Sequence, residues 1–195
     1  MKNLIVLFLI ICSSLAMAGD IKPIEVGTKA PNFTLKNYDG KEYSLSGMFR
    51  DHKFAVVMFI ATKCPVSNAY NERMVKLYDG YAKQGIAFLG INANVKEDVK
   101  EIAEHSKSKG FQFPVLKDVE NKIADLYGAT VTPEIYIIDG HDKVVYHGRI
   151  DDSKNPDKIK LHDLADALEL LLAGKPLVAA EHSAFGCSIK RVVAD

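Results

Sequence analysis

Cysteine is scarce in this chain, with three among 195 residues. That excludes a small scaffold stapled by many disulfides. Tryptophan is absent, and neither sign of charge is in surplus, with 25 basic against 25 acidic side chains. A balanced chain has no net field to draw in nucleic acid, so no nucleic-acid partner is expected. Long hydrophobic runs are also missing; none reaches the roughly 20 apolar residues that span a bilayer. Glycine and proline, at 13 and 7 residues, are too few for a collagen-like or low-complexity chain. What remains is 48% apolar and 26% charged, the mixture of a folded globule. A domain of this length buries roughly 70% of its unfolded surface and needs no disulfide to stand.

The first cysteine is expected to leave. Lys2, the apolar run Leu4 to Ile11 and the small-residue end Ala16-Met17-Ala18 have the order of a secretory signal peptide. Cleavage after Ala18 removes Cys12 and leaves Cys64 and Cys187 in a periplasmic or secreted protein, where disulfides persist. No membrane contact is expected after cleavage. The expected organisation is a leader at 1–18, one domain at 19–174 and a C-terminal tail at 175–195 that carries Cys187.

Periodicity supplies the elements. Phe33-Thr34-Leu35 and Tyr43-Ser44-Leu45 flank Asp39-Gly40, as in a β-hairpin. Phe54 to Ile60 and Ile86 to Ile91 are continuous apolar runs, which suit strands buried on both faces. Between them Pro65 to about Gln84 reads as one helix, and Val95 to Lys109 as a second with Val99, Ile102 and Ala103 inward. Phe113–Leu116 is a short strand and Asn121–Tyr127 a short helix. Glu134–Ile138 and Val144–Ile150 form an antiparallel pair around Asp139-Gly140. Leu161, Leu164, Ala165, Leu168, Leu171 and Leu172 trace a last helical stripe. Strands joined by helices pair in parallel through right-handed crossovers. The expected class is α/β: a thioredoxin fold, with a mixed central sheet, helices on both faces and an N-terminal β-hairpin.

Two places in that order carry chemistry. Cys64 leaves a buried strand and enters a helix, and Pro65 suits the first helical turn because its missing N–H would be unpaired there. Unpaired N–H groups at a helix start favour an anion, and such placement brings a thiol from about 8.5 into the range 3.5–7.5. Lys63 adds a cation, and the Ser67 hydroxyl is placed to donate to the sulfur. The alternative is an inert buried cysteine. The second place is Thr132-Pro133-Glu134, opening the next long strand, where proline is allowed. Glu134 is expected near Cys64, opposing a thiolate or exchanging its proton, or else as an ordinary strand-edge acid.

Ala30-Pro31-Asn32-Phe33-Thr34-Leu35, Phe59-Ile60-Ala61-Thr62-Lys63-Cys64-Pro65 and Gly128-Ala129-Thr130-Val131-Thr132-Pro133 resemble the thioredoxin-like redoxin family. This is the alkyl hydroperoxide reductase/thiol-specific antioxidant group, with its secreted peroxiredoxin-like members. The resemblance runs from about Lys29 to Gly174. It implies a redox thiol at Cys64 and a cis bond before Pro133 packed beside it. It also implies a protein or small-molecule disulfide, or a peroxide, as substrate, an external thiol reductant, and no cofactor. Two departures stand out: the second cysteine of the family's C-x-x-C pair is Ser67, and the tryptophan that commonly precedes the pair is Lys63.

The task of Cys187 follows from the first departure. As a resolving thiol on a mobile tail, it would attack an oxidised Cys64 and release product. As half of a permanent disulfide, it would close a long loop, and chain entropy gives roughly 4.7 kcal/mol for loops of about 100 residues. Pairing between two chains is a third possibility. A function of another class also stands open: a copper-binding assembly factor, in which soft thiolates from Cys64 and Cys187 with His147 or His182 hold Cu(I).

Overall fold

The apolar run that begins at Phe54 lies at the centre of the molecule. The computed structural model describes residues 21–192; the proposed leader and its cleavage site lie outside them. Strands β1 (Thr34–Asn37) and β2 (Glu42–Ser44) form the N-terminal hairpin, and the short helix α1 (Leu45–Met48) follows. Strand β3 (Phe54–Phe59) leads into helices α2 (Pro65–Asn68) and α3 (Asn71–Tyr81). Next come β4 (Ile86–Asn92), α4 (Val99–Lys109), β5 (Val115–Lys117) and α5 (Lys122–Tyr127). The chain continues through β6 (Val131–Thr132), β7 (Glu134–Asp139), β8 (Val144–Gly148), α6 (Asp163–Leu172) and β9 (Cys187–Ser188).

Seven strands make one mixed sheet in the order β2-β1-β5-β4-β3-β7-β8. Strands β3, β4 and β5 run parallel, and β7 returns antiparallel on β3 and pairs with β8. Side chains alternate across β3: Ala55, Val57 and Phe59 face one core with α1 and α5, while Val56 and Met58 face the other with α3, α4 and α6. Both faces are covered, which is why the run carries no polar residue. Each large apolar side chain fully buried here contributes about 1.5–3 kcal/mol. This is the thioredoxin fold that the order of elements predicts.

Several boundaries differ from expectation, each for a local reason. The helix expected from Pro65 to Gln84 breaks after α2, where Tyr70 N–H bonds Ser67 O in a tightened turn. The Tyr70 ring is buried there, edge-on to Phe185 and under the Arg73 guanidinium. A 3-10 turn, Ala82–Gln84, then ends the segment at Gly85. Helix α4 begins at Val99, not Val95, because Asp98 and Glu101 close a reciprocal capping box. Val99 lies on the solvent side instead of inward, and Leu161 is exposed ahead of α6. Phe113 is buried and stacked on Phe111 but precedes β5, and β8 stops at Gly148.

The segment after α6 is not a free tail. His182 N–H bonds His147 O, and His147 N–H bonds Ala180 O, so this stretch lies along the edge of β8. Strand β9 then pairs antiparallel with β6, Cys187 opposite Thr132. Beyond it Ile189 is buried, Lys190 N–H bonds Asn94 Oδ1 at 2.7 Å, and Val192 N–H bonds Asn121 Oδ1 at 2.9 Å. Cys187 is held from both sides. No helix among the described residues is long and apolar enough to cross a membrane.

Candidate active site

Cys64 caps α2. Its sulfur accepts the Ser67 N–H at 3.3 Å and, as a thiol, donates to Thr132 O at 3.4 Å. Thr132 belongs to the two-residue bridge with β9, and the peptide bond between it and Pro133 is cis, as the resemblance implies. The same bridge sets Cys187 opposite Thr132, so the two cysteines line one cavity and each shifts the titration of the other. Both cysteines are free thiols; Cys64 is buried and Cys187 half-buried.

Gly186 makes the approach possible. A Cβ there would lie 2.0 Å from Thr132 O, a main-chain atom that cannot step aside, so only glycine lets β9 lie this close to β6.

The two sulfurs are not equivalent. Burial pushes the Cys64 thiol up, but the donors around it outweigh burial and its pKa is lowered. The effects that lower it come from Cys187 first and then from the Ser67 N–H, with Thr132 adding to them. Cys187 moves the other way. Cys64 raises it first and burial adds to this, while the Val66 N–H and the Lys190 charge pull it down. The first proton therefore leaves Cys64.

Three expected roles change. The Ser67 hydroxyl does not donate to the sulfur; its oxygen accepts the Ala61 N–H at 3.2 Å, and the main-chain N–H of Ser67 serves Cys64 instead. Lys63 turns to Glu101, with Nζ 2.5 Å from Oε1, so its charge is already matched. Glu134 is fully buried and engaged elsewhere. One oxygen accepts the N–H groups of Thr130 and Val131, and the other lies 3.1 Å from the Tyr136 hydroxyl and 2.8 Å from His147 Nε2. None of these bonds reaches Cys64. Glu134 fixes the loop that precedes the Thr132–Pro133 bond, so it positions the site without touching the thiol.

Sequence reasoning missed Glu97. It is buried beneath the loop that delivers Cys64 and accepts four hydrogen bonds: Thr62 N–H at 2.7 Å, Lys63 N–H at 3.1 Å, Asn92 Nδ2 at 2.6 Å and Asn94 Nδ2 at 3.0 Å. Burial would raise its carboxyl, yet these donors hold it below the ordinary value. No local signal marks it, because its partners come from two loops far apart in the chain.

A copper site of the expected kind is not assembled. The cysteines line one cavity, while His147 and His182 line another of about 550 Å³ with Lys22, Glu25 and Glu181. No group of three or more His, Cys, Asp or Glu suited to a metal gathers among the described residues.

Residues 26–147 match the AhpC/TSA family. The chain belongs to the AhpC/TSA family. Cys64, Ser67, Thr132, Pro133 and Glu134 lie inside the family match, and Cys187 lies beyond it. The chain is 30% identical over 121 residues to thiol-disulfide oxidoreductase ResA of Geobacillus thermodenitrificans, covering 62% of this chain and 67% of that protein. It is 28% identical to the chloroplastic peroxiredoxin Q of Oryza sativa subsp. japonica, covering 63% of this chain and 58% of that protein. A hypothetical protein of Sinorhizobium meliloti 1021 superposes with a TM-score of 0.82 at 31% identity, covering 89% of this AhpC/TSA chain and 98% of its own.

Proposed function

We propose that this redoxin is an extracytoplasmic thiol–disulfide oxidoreductase in which Cys64 attacks and Cys187 resolves. The observation that carries the reading is the β6–β9 bridge, which sets Cys187 opposite Thr132, the residue that Cys64 hydrogen-bonds, with both free thiols on one cavity. The thiolate of Cys64 attacks one sulfur of a substrate disulfide. A Cys64–substrate bond forms, the substrate S–S bond breaks, and one substrate thiolate leaves and takes a proton.

That step consumes the electron pair on Cys64 and with it the influence of Cys64 that holds the Cys187 thiol up. The Val66 N–H and Lys190 then favour its thiolate. Cys187 attacks the Cys64 sulfur, the second substrate thiolate leaves, and the Cys64–Cys187 disulfide closes. Two electrons pass from protein to substrate, and an external thiol reductant returns them. Both electrons come from the thiols, so the cycle calls for no cofactor. The extracytoplasmic setting rests on the leader pattern at 1–18.

The test follows reduction of a model disulfide, and of peroxide alongside it, with Cys64→Ser and Cys187→Ser. Cys64→Ser is expected to abolish turnover. Cys187→Ser is expected to accumulate substrate bound to Cys64, visible by mass. Full activity of Cys64→Ser would end the proposal, and turnover of peroxide alone would move the chain to a peroxidase reading.

A further inference from the structure

Beside the two cysteines the surface opens into a cavity of about 320 Å³, whose wall carries Lys63, Lys96 and Lys190 together with Cys64, Cys187 and Glu97. The charges differ in availability. Lys63 is paired with Glu101, and every close donor around Glu97 is already bonded to it. Lys117 lies behind the wall, its Nζ 2.6 Å from Asn94 O. Asp98 is occupied in capping α4, where it accepts the Glu101 N–H at 2.8 Å. Lys96 and Lys190 are exposed and form no ion pair among the described residues. The opening beside the thiols thus presents two exposed cations without an ion-pair partner, while the carboxylate of Glu97 is buried and turned onto its four donors.

The size of the cavity narrows the occupant. At about 30 Å³ per water it has room for roughly ten waters, the lower range of small-molecule sites. The geometry points to a carboxylate-bearing low-molecular-weight disulfide as the substrate, its acid groups held by Lys96 and Lys190 while one sulfur meets Cys64. The inference rests on the redox reading of the pair. The overall step is balanced: one substrate S–S bond breaks, the Cys64–Cys187 bond forms, and the two thiol protons pass to the two substrate thiols. A thiol reductant reopens the protein disulfide.

The reduced full chain is mixed at equal concentration with three disulfides of similar size: dianionic 3,3′-dithiodipropionate, neutral bis(2-hydroxyethyl) disulfide and dicationic cystamine. Each rate is divided by that of a simple monothiol with the same disulfide. At low ionic strength the dianion is expected to react about tenfold faster than the neutral compound, with cystamine slowest. The spread should contract at about 0.5 M salt. In the Lys96→Ser/Lys190→Ser double variant the preference should fall to within about twofold, and Lys190→Glu should turn it toward cystamine. Equal normalised rates at low salt, or a preference intact in the double variant, would overturn this inference alone. If none of the three oxidises the pair, the redox reading itself falls.

Discussion

The two cysteines reach one site by opposite constructions. Cys64 is delivered by the order of the domain's own elements, a buried strand running into a helix, and a carboxylate beneath the loop holds that loop in place. Cys187 arrives from outside the span that matches the family, on a two-residue bridge secured by main-chain hydrogen bonds. The first half depends on a buried charge, the second on the absence of a side chain at Gly186. Where the family's C-x-x-C pair has its second thiol this chain has Ser67, and the cysteine beside Cys64 comes from a distant part of the chain, on a bridge outside the seven-stranded sheet.

Glu97→Gln should have the largest effect and strikes only the first half. The amide places N–H groups against N–H donors that the carboxylate accepted, so stability should fall by about 2–3 kcal/mol in urea unfolding. The pH dependence has a definite sign. The folded pKa of Glu97 lies below the ordinary carboxylate value, about 4.3. Its contribution is therefore complete above that value and lost as pH falls through the lowered folded one. Glu97→Gln should lack this acid limb; an unchanged limb would show that other groups produce it.

Gly186→Ala strikes the second half. The added carbon meets the Thr132 carbonyl, so β9 must draw back, at about 1–3 kcal/mol. Closure of the Cys64–Cys187 disulfide should slow, while the first attack by Cys64 should persist. Loss of both together would mean that the two halves do not separate as described.

The smallest effect reads the coupling between them. Cys187→Ala removes the thiol that lowers Cys64 most but keeps the Cys187 main-chain N–H. The pH limb of Cys64 alkylation by iodoacetamide should move upward, because the thiolate loses the influence that favours it most. A limb that stays in place would remove Cys187 from the activation of Cys64.

The same contrast explains what the sequence disclosed. Cys64 was legible because an apolar run, a cysteine and Pro65 state a strand, an exit and a helix start within a dozen letters. The parallel strands and the closing hairpin were legible for the same reason, since their patterns are local. Glu97 was not, because the Thr62 and Lys63 N–H groups that tie it to the Cys64 loop lie more than thirty residues upstream and reach it only in three dimensions. Nor was the place of Cys187, since two residues carry no periodicity and their pairing rests on Gly186 and on bonds from Lys190 and Val192 to asparagines far upstream. Ser67 shows a subtler failure. It lies beside the sulfur as its spacing from Cys64 implies, but the Ala61 N–H takes the hydroxyl oxygen and the backbone supplies the donor to sulfur. The box Asp98-x-x-Glu101 was present in the sequence and marks the true start of α4.

The central claim is that Cys64 and Cys187 form an exchanging pair within one chain, and their equilibrium potential tests it most directly. The full chain is equilibrated in thiol–disulfide buffers of graded potential, and the Cys64–Cys187 disulfide is counted by mass. Hydrogen bonds to the Cys64 thiolate stabilise the reduced form, which raises the potential, so the account predicts a midpoint above about −300 mV. A midpoint well below that value would make the bond a structural staple and contradict the account.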